Sequence, residues 1–599
     1  MTILPIVAAC AVILVIAYLT YGKLIARWFG IDPSRTTPAV EMEDGNDFVP
    51  APPGVVLGGH FTAIAAAGPV VGPIFAGLAF GWLPALLWIL IGAILIGGVH
   101  DTGALLASIR HKAASITQVV REHMSRSAYL MFLIFVWIAL VYVIIAFADV
   151  TASTFGFFEN FSVMVDGQPT KIPLNGGAVA IGASAYLLLS IILGLLLRYT
   201  RLKWWVGLLG AVALLSLTIW KAPDLAIWLS NHGLPFMNTA GNTAEQSGTL
   251  IKRWDQVLLV YCFFASITPM WILLQPRGVI GAAFLYATLF FGVVGAVVGG
   301  LTGAESLKVT WPAFSGFFAD PISAPAMAGA WLFPFLFITI ACGACSGFHS
   351  IVASGTTSKQ VRTEKDIKPI AYGSMLLEAM VAVFALSCVM VMTPGTTGKP
   401  DAIYARGIGN FMHLLNIDMK FAIAFGLLAF SSFVFDTLDV CTRLGRYVLQ
   451  EITGLKGKIG GAVATILTLA MPSLYLAYMP PKSFMTFWVL FGTSNQLLAA
   501  LTLIGVSVWL WRTGRPVWFA LAPAIFMLAT TSTALVMNFM SFLAKHQSLV
   551  SAAKPIDPMN ITNMVIAVAL LGLSIFVAFE ALRVYVQSRR RPVAVGAAS

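Results

Sequence analysis

GGHFTAIAAAGPVVGP, from Gly58 to Pro73, is apolar enough to lie in a membrane but is unable to cross one as a regular helix. Pro69 and Pro73 each remove a backbone donor and clash with the preceding turn, while Gly68 and Gly72 strip away the side chains that would shield the freed carbonyls. The spacing predicts a break inside a span over residues 56–80. Small residues four apart also suit a kinked helix packed closely on a neighbour. The alternative is a discontinuous helix whose exposed backbone ends hold a ligand or ion.

A second stretch, GACSGFHSIVASGTTSK from Gly343 to Lys359, sets a histidine, serines and repeated glycine inside another apolar segment. Polar groups in hydrocarbon cost several kcal/mol each unless something satisfies them. His60, followed by apolar residues and Gly68, is echoed by His349, Ile351, Val352, Ala353 and Gly355. The two segments are expected to run in opposite directions, and interrupted polar segments of opposed orientation are the trace of an inverted repeat.

The rest of the chain agrees with a membrane setting. It has 599 residues, 59% hydrophobic and 10% charged, with mean hydropathy +0.88. A water-soluble fold would lack polar surface. Apolar runs near 20 residues predict spans at 2–22, 56–80, 82–107, 127–150, 178–197, 204–220, 256–275, 278–300, 331–356, 370–393, 419–440, 460–479, 484–511, 517–541 and 561–583, an all-α polytopic protein of about fifteen helices in one transmembrane domain. The alternation of a membrane β-barrel does not stand out. The first span lacks a basic leader and a small-residue cleavage site, so it reads as a retained anchor.

Lys23, Arg27, Arg110, Lys112, Arg198, Lys203, Lys359, Arg362, Arg443, Arg446, Arg512 and Arg589 to Arg591 gather in alternate loops. The positive-inside rule makes that face cytoplasmic, with the N-terminus outside and the C-terminus inside. The net charge of +11 follows from this asymmetry and does not argue for nucleic acid. The six cysteines fall in or at the ends of spans, where thiols act as small hydrophobes.

Six motifs are familiar together: GGHFTAIAAAGPVVGP, WILIGAILIGGVHD, PMWILLQPR (Pro269 to Arg277), CSGFHSIVASGTTSK, DTLDVCTRLGRYVLQ (Asp436 to Gln450) and FGTSNQLLAALTL (Phe491 to Leu503). In this order, from residue 58 to 503, they resemble the carbon starvation protein A family. The resemblance implies a transporter of the bacterial cytoplasmic membrane that scavenges nutrients, with peptides and pyruvate the associated substrates. It also implies kinship with the amino acid, polyamine and organocation superfamily, whose core is two inverted five-helix repeats. The chain departs from longer members after Arg277, where Gly278-Val279 replaces an acidic-aromatic continuation.

His60 and His349 are expected to line a central site and to carry or sense a coupling proton, since intramembrane ionisable groups are functional by default and imidazole titrates near neutrality. Gly68, Gly72, Ser346, Thr356, Asn495 and Gln496 are the further expected substrate contacts, with interhelical hydrogen bonding an equal alternative for the two amides. Glu378, well inside the span 370–393 without a basic neighbour in sequence, is the expected coupling acid. Asp436, Asp439 and Arg443 share a helix face; an Asp439–Arg443 ion pair or a gate that pairs and releases are the two readings. The carboxylate of Asp101 is expected to orient His100 or pair with Arg110.

Cys342, Cys345 and His349 form a C-x-x-C-x-x-x-H series in which zinc is conceivable, although chance packing is the simpler account, and no metal or cofactor is expected. Walker-type and HExxH motifs are absent, which points away from direct ATP drive and from an enzyme and leaves an ion gradient. Protons suit Glu378 and the histidines; sodium would use hydroxyls such as Ser350, Ser354 and Thr357. Small residues at the breaks favour short peptides, while a pyruvate carboxylate would need one positive helix end. Partners beyond substrate and lipid, and the oligomeric state, are not readable.

Overall fold

The computed structural model describes residues 1–590 except Asn46, 166–167, 233–235, 237–242, 397, 482–483 and 556–557. Among them, twelve helices are long and apolar enough to cross a membrane, or thirteen when the bent pair Pro53–Ile64 and Gly68–Phe80 counts as one further span. This falls short of the expected fifteen for two physical reasons. The segment expected at 256–275 belongs to a helix Ala244–Ile267 that carries Lys252, Arg253 and Asp255. The segment expected at 331–356 is discontinuous: Leu332–Thr339 ends, residues 340–346 turn, and Gly347–Val352 begins again.

The chain is not helical throughout. Phe158–Val165 and Gln168–Asn175 form an antiparallel hairpin, with Phe158 opposite Asn175 and Val165 opposite Gln168. Asn175 then caps the span Gly176–Tyr199 by accepting a 2.8 Å bond from the Gly177 N–H.

Two spans run through the centre. The apolar windows of Met419–Thr453 and Leu490–Arg512 are 94% and 100% buried, against 28% and 22% for Leu4–Phe29 and Trp204–Asn231. The peripheral helices turn side chains such as Leu209, Trp220 and Leu301 outward, which is stable where the solvent is lipid.

The first break lies at residues 65–67, just before the position expected from the prolines, and the halves meet at 42°. Pro69 occupies the first turn of the new helix, where its missing N–H costs nothing, and Pro73 is carried inside it. Gly68 and Gly72 face the second break. A Cβ on Gly68 would stand 2.3 Å from the Cβ of Cys342, and one on Gly72 would stand 2.4 Å from the Thr339 carbonyl oxygen. The two interrupted segments therefore cross at their breaks, with no room for a side chain between them.

Three wide, π-type turns flank this crossing: Gly92–Gly97 within the span Trp82–Arg110, Ala353–Thr357 directly after Gly347–Val352, and Lys368–Gly373 leading into Ser374–Met390. Such turns concentrate at functional sites.

Candidate functional site

Beside the crossing, side chains from two other helices meet His349. Its Nδ1 lies 2.8 Å from Asp101 Oδ2, and its Nε2 lies 3.2 Å from Glu378 Oε2. The second contact is within ion-pairing distance but is not aligned as a hydrogen bond. Asp101 also reaches His100 Nδ1 at 2.7 Å, and Glu378 accepts a 3.0 Å bond from the Gly343 N–H, at the second break. His100, Asp101, His349 and Glu378 are all fully buried. With a carboxylate at each ring nitrogen, His349 satisfies both only when its ring is doubly protonated. A neutral ring leaves one nitrogen facing a carboxylate with no proton between them, unless that carboxyl carries the proton itself.

The second break is held by an amide. Asn495 Oδ1 accepts from the Phe348 N–H at 2.8 Å, and its Nδ2 donates to Ser346 Oγ at 3.0 Å. Gln496 Nε2 donates to the Phe337 carbonyl at 3.2 Å. Both amides thus satisfy backbone released by the interruption. His60 Nδ1 pairs with Thr357 Oγ1 at 2.8 Å, which links the two interrupted segments a second time.

A separate charged group lies nearby. Arg277, 1% exposed, forms close ion pairs with Asp436 and Asp439 and donates to the Tyr261 hydroxyl at 2.6 Å. Tyr186 donates from its hydroxyl to Asp436 at 2.9 Å, and the Phe435 ring centroid lies 4.6 Å from the guanidinium carbon. A small cavity of about 30 Å³ adjoins this group, lined by His60, Thr62, Arg277, Thr356, Thr357 and Asp436 among others.

The sequence profile of the family described as Carbon starvation protein CstA matches residues 2–403 and 395–534. The chain belongs to the CstA family. Among its relatives, the Campylobacter jejuni protein named "Peptide transporter CstA" is 30% identical over 88% of this chain and 78% of its own length. The Escherichia coli protein of the same name is 30% identical over 88% and 80%. The Escherichia coli "Pyruvate/proton symporter BtsT" is 30% identical over 90% and 81%. Among solved structures, the manganese transporter of Eremococcus coleocola overlaps 91% of this chain and 99% of its own at 13% identity, with a TM-score of 0.43.

Within this CstA-family chain, the expected residues separate into groups. His349 and Glu378 meet directly, while His60, Thr356 and Asp436 share the small cavity. Gly68 and Gly72 pack at the crossing. The expected Asp439–Arg443 ion pair does not form. Asp439 is taken by Arg277 from another helix, and the Arg443 guanidinium donates to the carbonyls of Ala265 (3.0 Å) and Thr268. Asp101 bonds His100 as expected and also His349; Arg110 goes to Glu364 instead. The C-x-x-C-x-x-x-H series does not gather as one ligand set. The ligand atoms that lie together are those of Cys342, His349 and Glu378, and Cys345 is not among them.

Arg277 closes one of the quoted motifs without a role being read for it there, and for Asp101 only the His100 or Arg110 partnership was expected. Asp101 carried a signal, as a carboxylate deep in an apolar span, but its partner 248 residues away is visible only in the fold.

The two ends of the molecule differ. A cavity of about 700 Å³ opens at the end rich in Lys and Arg, and reaches Ile351, Ser354 and Gly355 on the second interrupted segment. At the opposite end, the space beside Val71, Glu159, Lys399 and Asp401 amounts to about 40 Å³. There Trp311 donates to the Gly77 carbonyl at 3.0 Å, and the 302–330 connection packs on the C-terminal end of the helix Gly68–Phe80, where the Ser315 N–H donates to the Phe80 carbonyl at 3.0 Å.

Proposed function

We propose that this chain is a secondary active transporter that takes up short peptides across a bacterial cytoplasmic membrane, coupled to protons, with the basic end facing the cytoplasm. The observation that carries the substrate class is Arg277 held between Asp436 and Asp439 at a cavity it shares with His60 and Thr357. One guanidinium and two carboxylates present both signs of charge within a few ångströms. A zwitterion, with an ammonium for an aspartate and a carboxylate for the arginine, can exchange partners with this group while leaving no buried charge unpaired. The 700 Å³ cavity offers a short peptide a way out at the basic end.

Proton coupling is supported by the Asp101–His349–Glu378 series, where one proton has two alternative holders and the move between them alters contacts at Gly343, within the break. Crossed, interrupted helices fit an inverted-repeat core resembling that of the amino acid, polyamine and organocation superfamily. No organic cofactor enters this scheme. A second reading, pyruvate with a proton, is favoured by the relative named as a pyruvate/proton symporter; here Arg277 would hold the carboxylate, and both aspartates would have to move away from an unaccompanied anion.

Uptake of labelled dipeptides and pyruvate by reconstituted protein, under imposed proton or sodium gradients, tests both readings. Proton-driven dipeptide accumulation is the expected result. Accumulation of pyruvate alone, or accumulation driven by sodium alone, overturns the proposal.

A further inference from the structure

Outside the membrane-spanning helices, the chain brings together a group that plays no part in the transport scheme. His111 follows the span Trp82–Arg110, and Glu122 and His123 end the short helix Ile116–His123. We propose that His111, Glu122 and His123 form a binding site for a divalent transition-metal ion of the zinc class, at the wall of the large cavity.

The geometry is that of ligands turned toward one point. His111 Nε2 lies 2.9 Å from His123 Nε2 and 3.6 Å from Glu122 Oε2. A zinc ion about 2.0–2.1 Å from each imidazole nitrogen in tetrahedral array separates those nitrogens by roughly 3.3 Å, a small opening from the distance present. The two rings stand at 85° to each other, edge to face. His111 Nδ1 sits 2.6 Å from the Ala107 carbonyl oxygen, which can only accept, so the proton is on Nδ1 and the Nε2 lone pair points at the group. Orientation of a metal-binding imidazole by a backbone carbonyl is the usual arrangement. Without a metal, the same contacts amount to a hydrogen bond between the histidines and an ion pair from His111 to the half-exposed Glu122.

Lys112 and Ala113 both adopt left-handed backbone, φ 57° and 55°, a costly reversal for non-glycine residues that folds His111 back toward His123. Two imidazoles and one carboxylate suit zinc, nickel or cobalt; the oxygen-rich shells that calcium and magnesium prefer are not offered. Residues Ala113 to Gln118, between the ligands, line the cavity, so a bound ion would pin that wall.

The test is zinc chloride titration of full-length, tag-free protein by calorimetry, with cobalt absorption as the geometric readout. One zinc per chain and an intense tetrahedral cobalt band are expected for the wild type, with both lost in His111→Ala/His123→Ala and about tenfold weaker zinc binding in Glu122→Gln. His123→Gln provides a variant of similar size whose unfolding temperature in detergent and monodisperse elution, unchanged from the wild type, show that it is folded. Failure of the transport reading would leave these titrations unchanged. Zinc binding that survives the double substitution, or that disappears in Cys342→Ser instead, overturns the proposal, as does a wild type that binds none.

Discussion

Replacing Arg277 by methionine removes one positive charge and leaves two carboxylates, on Asp436 and Asp439, at 5% and 3% exposure. Loss of one partner from a buried pair costs about 3–5 kcal/mol, because the abandoned charge keeps its desolvation penalty. Here two charges are abandoned three residues apart on one helix, and their mutual repulsion adds to that cost. The Tyr186 and Tyr261 hydroxyls, at 2.9 and 2.6 Å from the carboxylates, offset part of it. The expected net effect is about 3–5 kcal/mol, read as a lowered unfolding temperature of detergent-solubilised protein and reduced yield. The charge-neutral triple variant Arg277→Met/Asp436→Asn/Asp439→Asn should recover most of that stability and still fail to take up labelled dipeptide. If Arg277→Met unfolds with the wild type, the ion pairs do not bear on the fold. If the stable triple variant transports dipeptide with the wild-type KM, the zwitterion argument fails.

Glu378→Gln keeps the shape of the carboxyl and removes its proton-holding ability. Across two pH units, wild-type symport of one proton with a neutral peptide is bounded at about 100-fold accumulation, or roughly 2.7 kcal/mol; the variant should exchange labelled for unlabelled peptide while accumulating none, and undiminished pH-driven accumulation would contradict the coupling role. Asp101→Asn should behave alike in the same proteoliposomes. Gly72→Val places a branched side chain where even a Cβ stands 2.4 Å from the Thr339 carbonyl oxygen; overpacking of about 1–3 kcal/mol and loss of uptake are expected, and a thermal melt at the wild-type temperature would show that the crossing is looser than described. His60→Gln should retain folding but alter the pH profile of uptake; a profile superimposable on the wild type would restrict His60 to its contact with Thr357.

Local chemistry made the interrupted helices legible. Gly-Pro pairs in an apolar run announce a break whatever surrounds them, and even there the position shifted by a few residues because proline is tolerated in the first turn of a new helix. His349 and Glu378 were legible for a similar reason, as ionisable groups with no lipid-compatible excuse. Partnerships were not. Asp439 and Arg443 have the spacing of a helical ion pair, but the fold supplies Arg277 from 162 residues away, and Arg443 is used on the carbonyls of Ala265 and Thr268. The 158–175 hairpin has no apolar run of about 20 residues to announce it, and the meeting of His111 with His123 is set by the turn between them, which leaves no periodic signal in sequence.

The wide turns at Gly92–Gly97, Ala353–Thr357 and Lys368–Gly373 have a mechanical corollary. A turn holding one surplus residue is a dislocation, and moving it one place along a helix swings the intervening side chain by about 100° without unravelling either end. Ala353–Thr357 is the stretch that presents Thr357 to His60. Sliding that dislocation would rotate the hydroxyl away and bring another group round, a reorientation far cheaper than tilting an entire bundle.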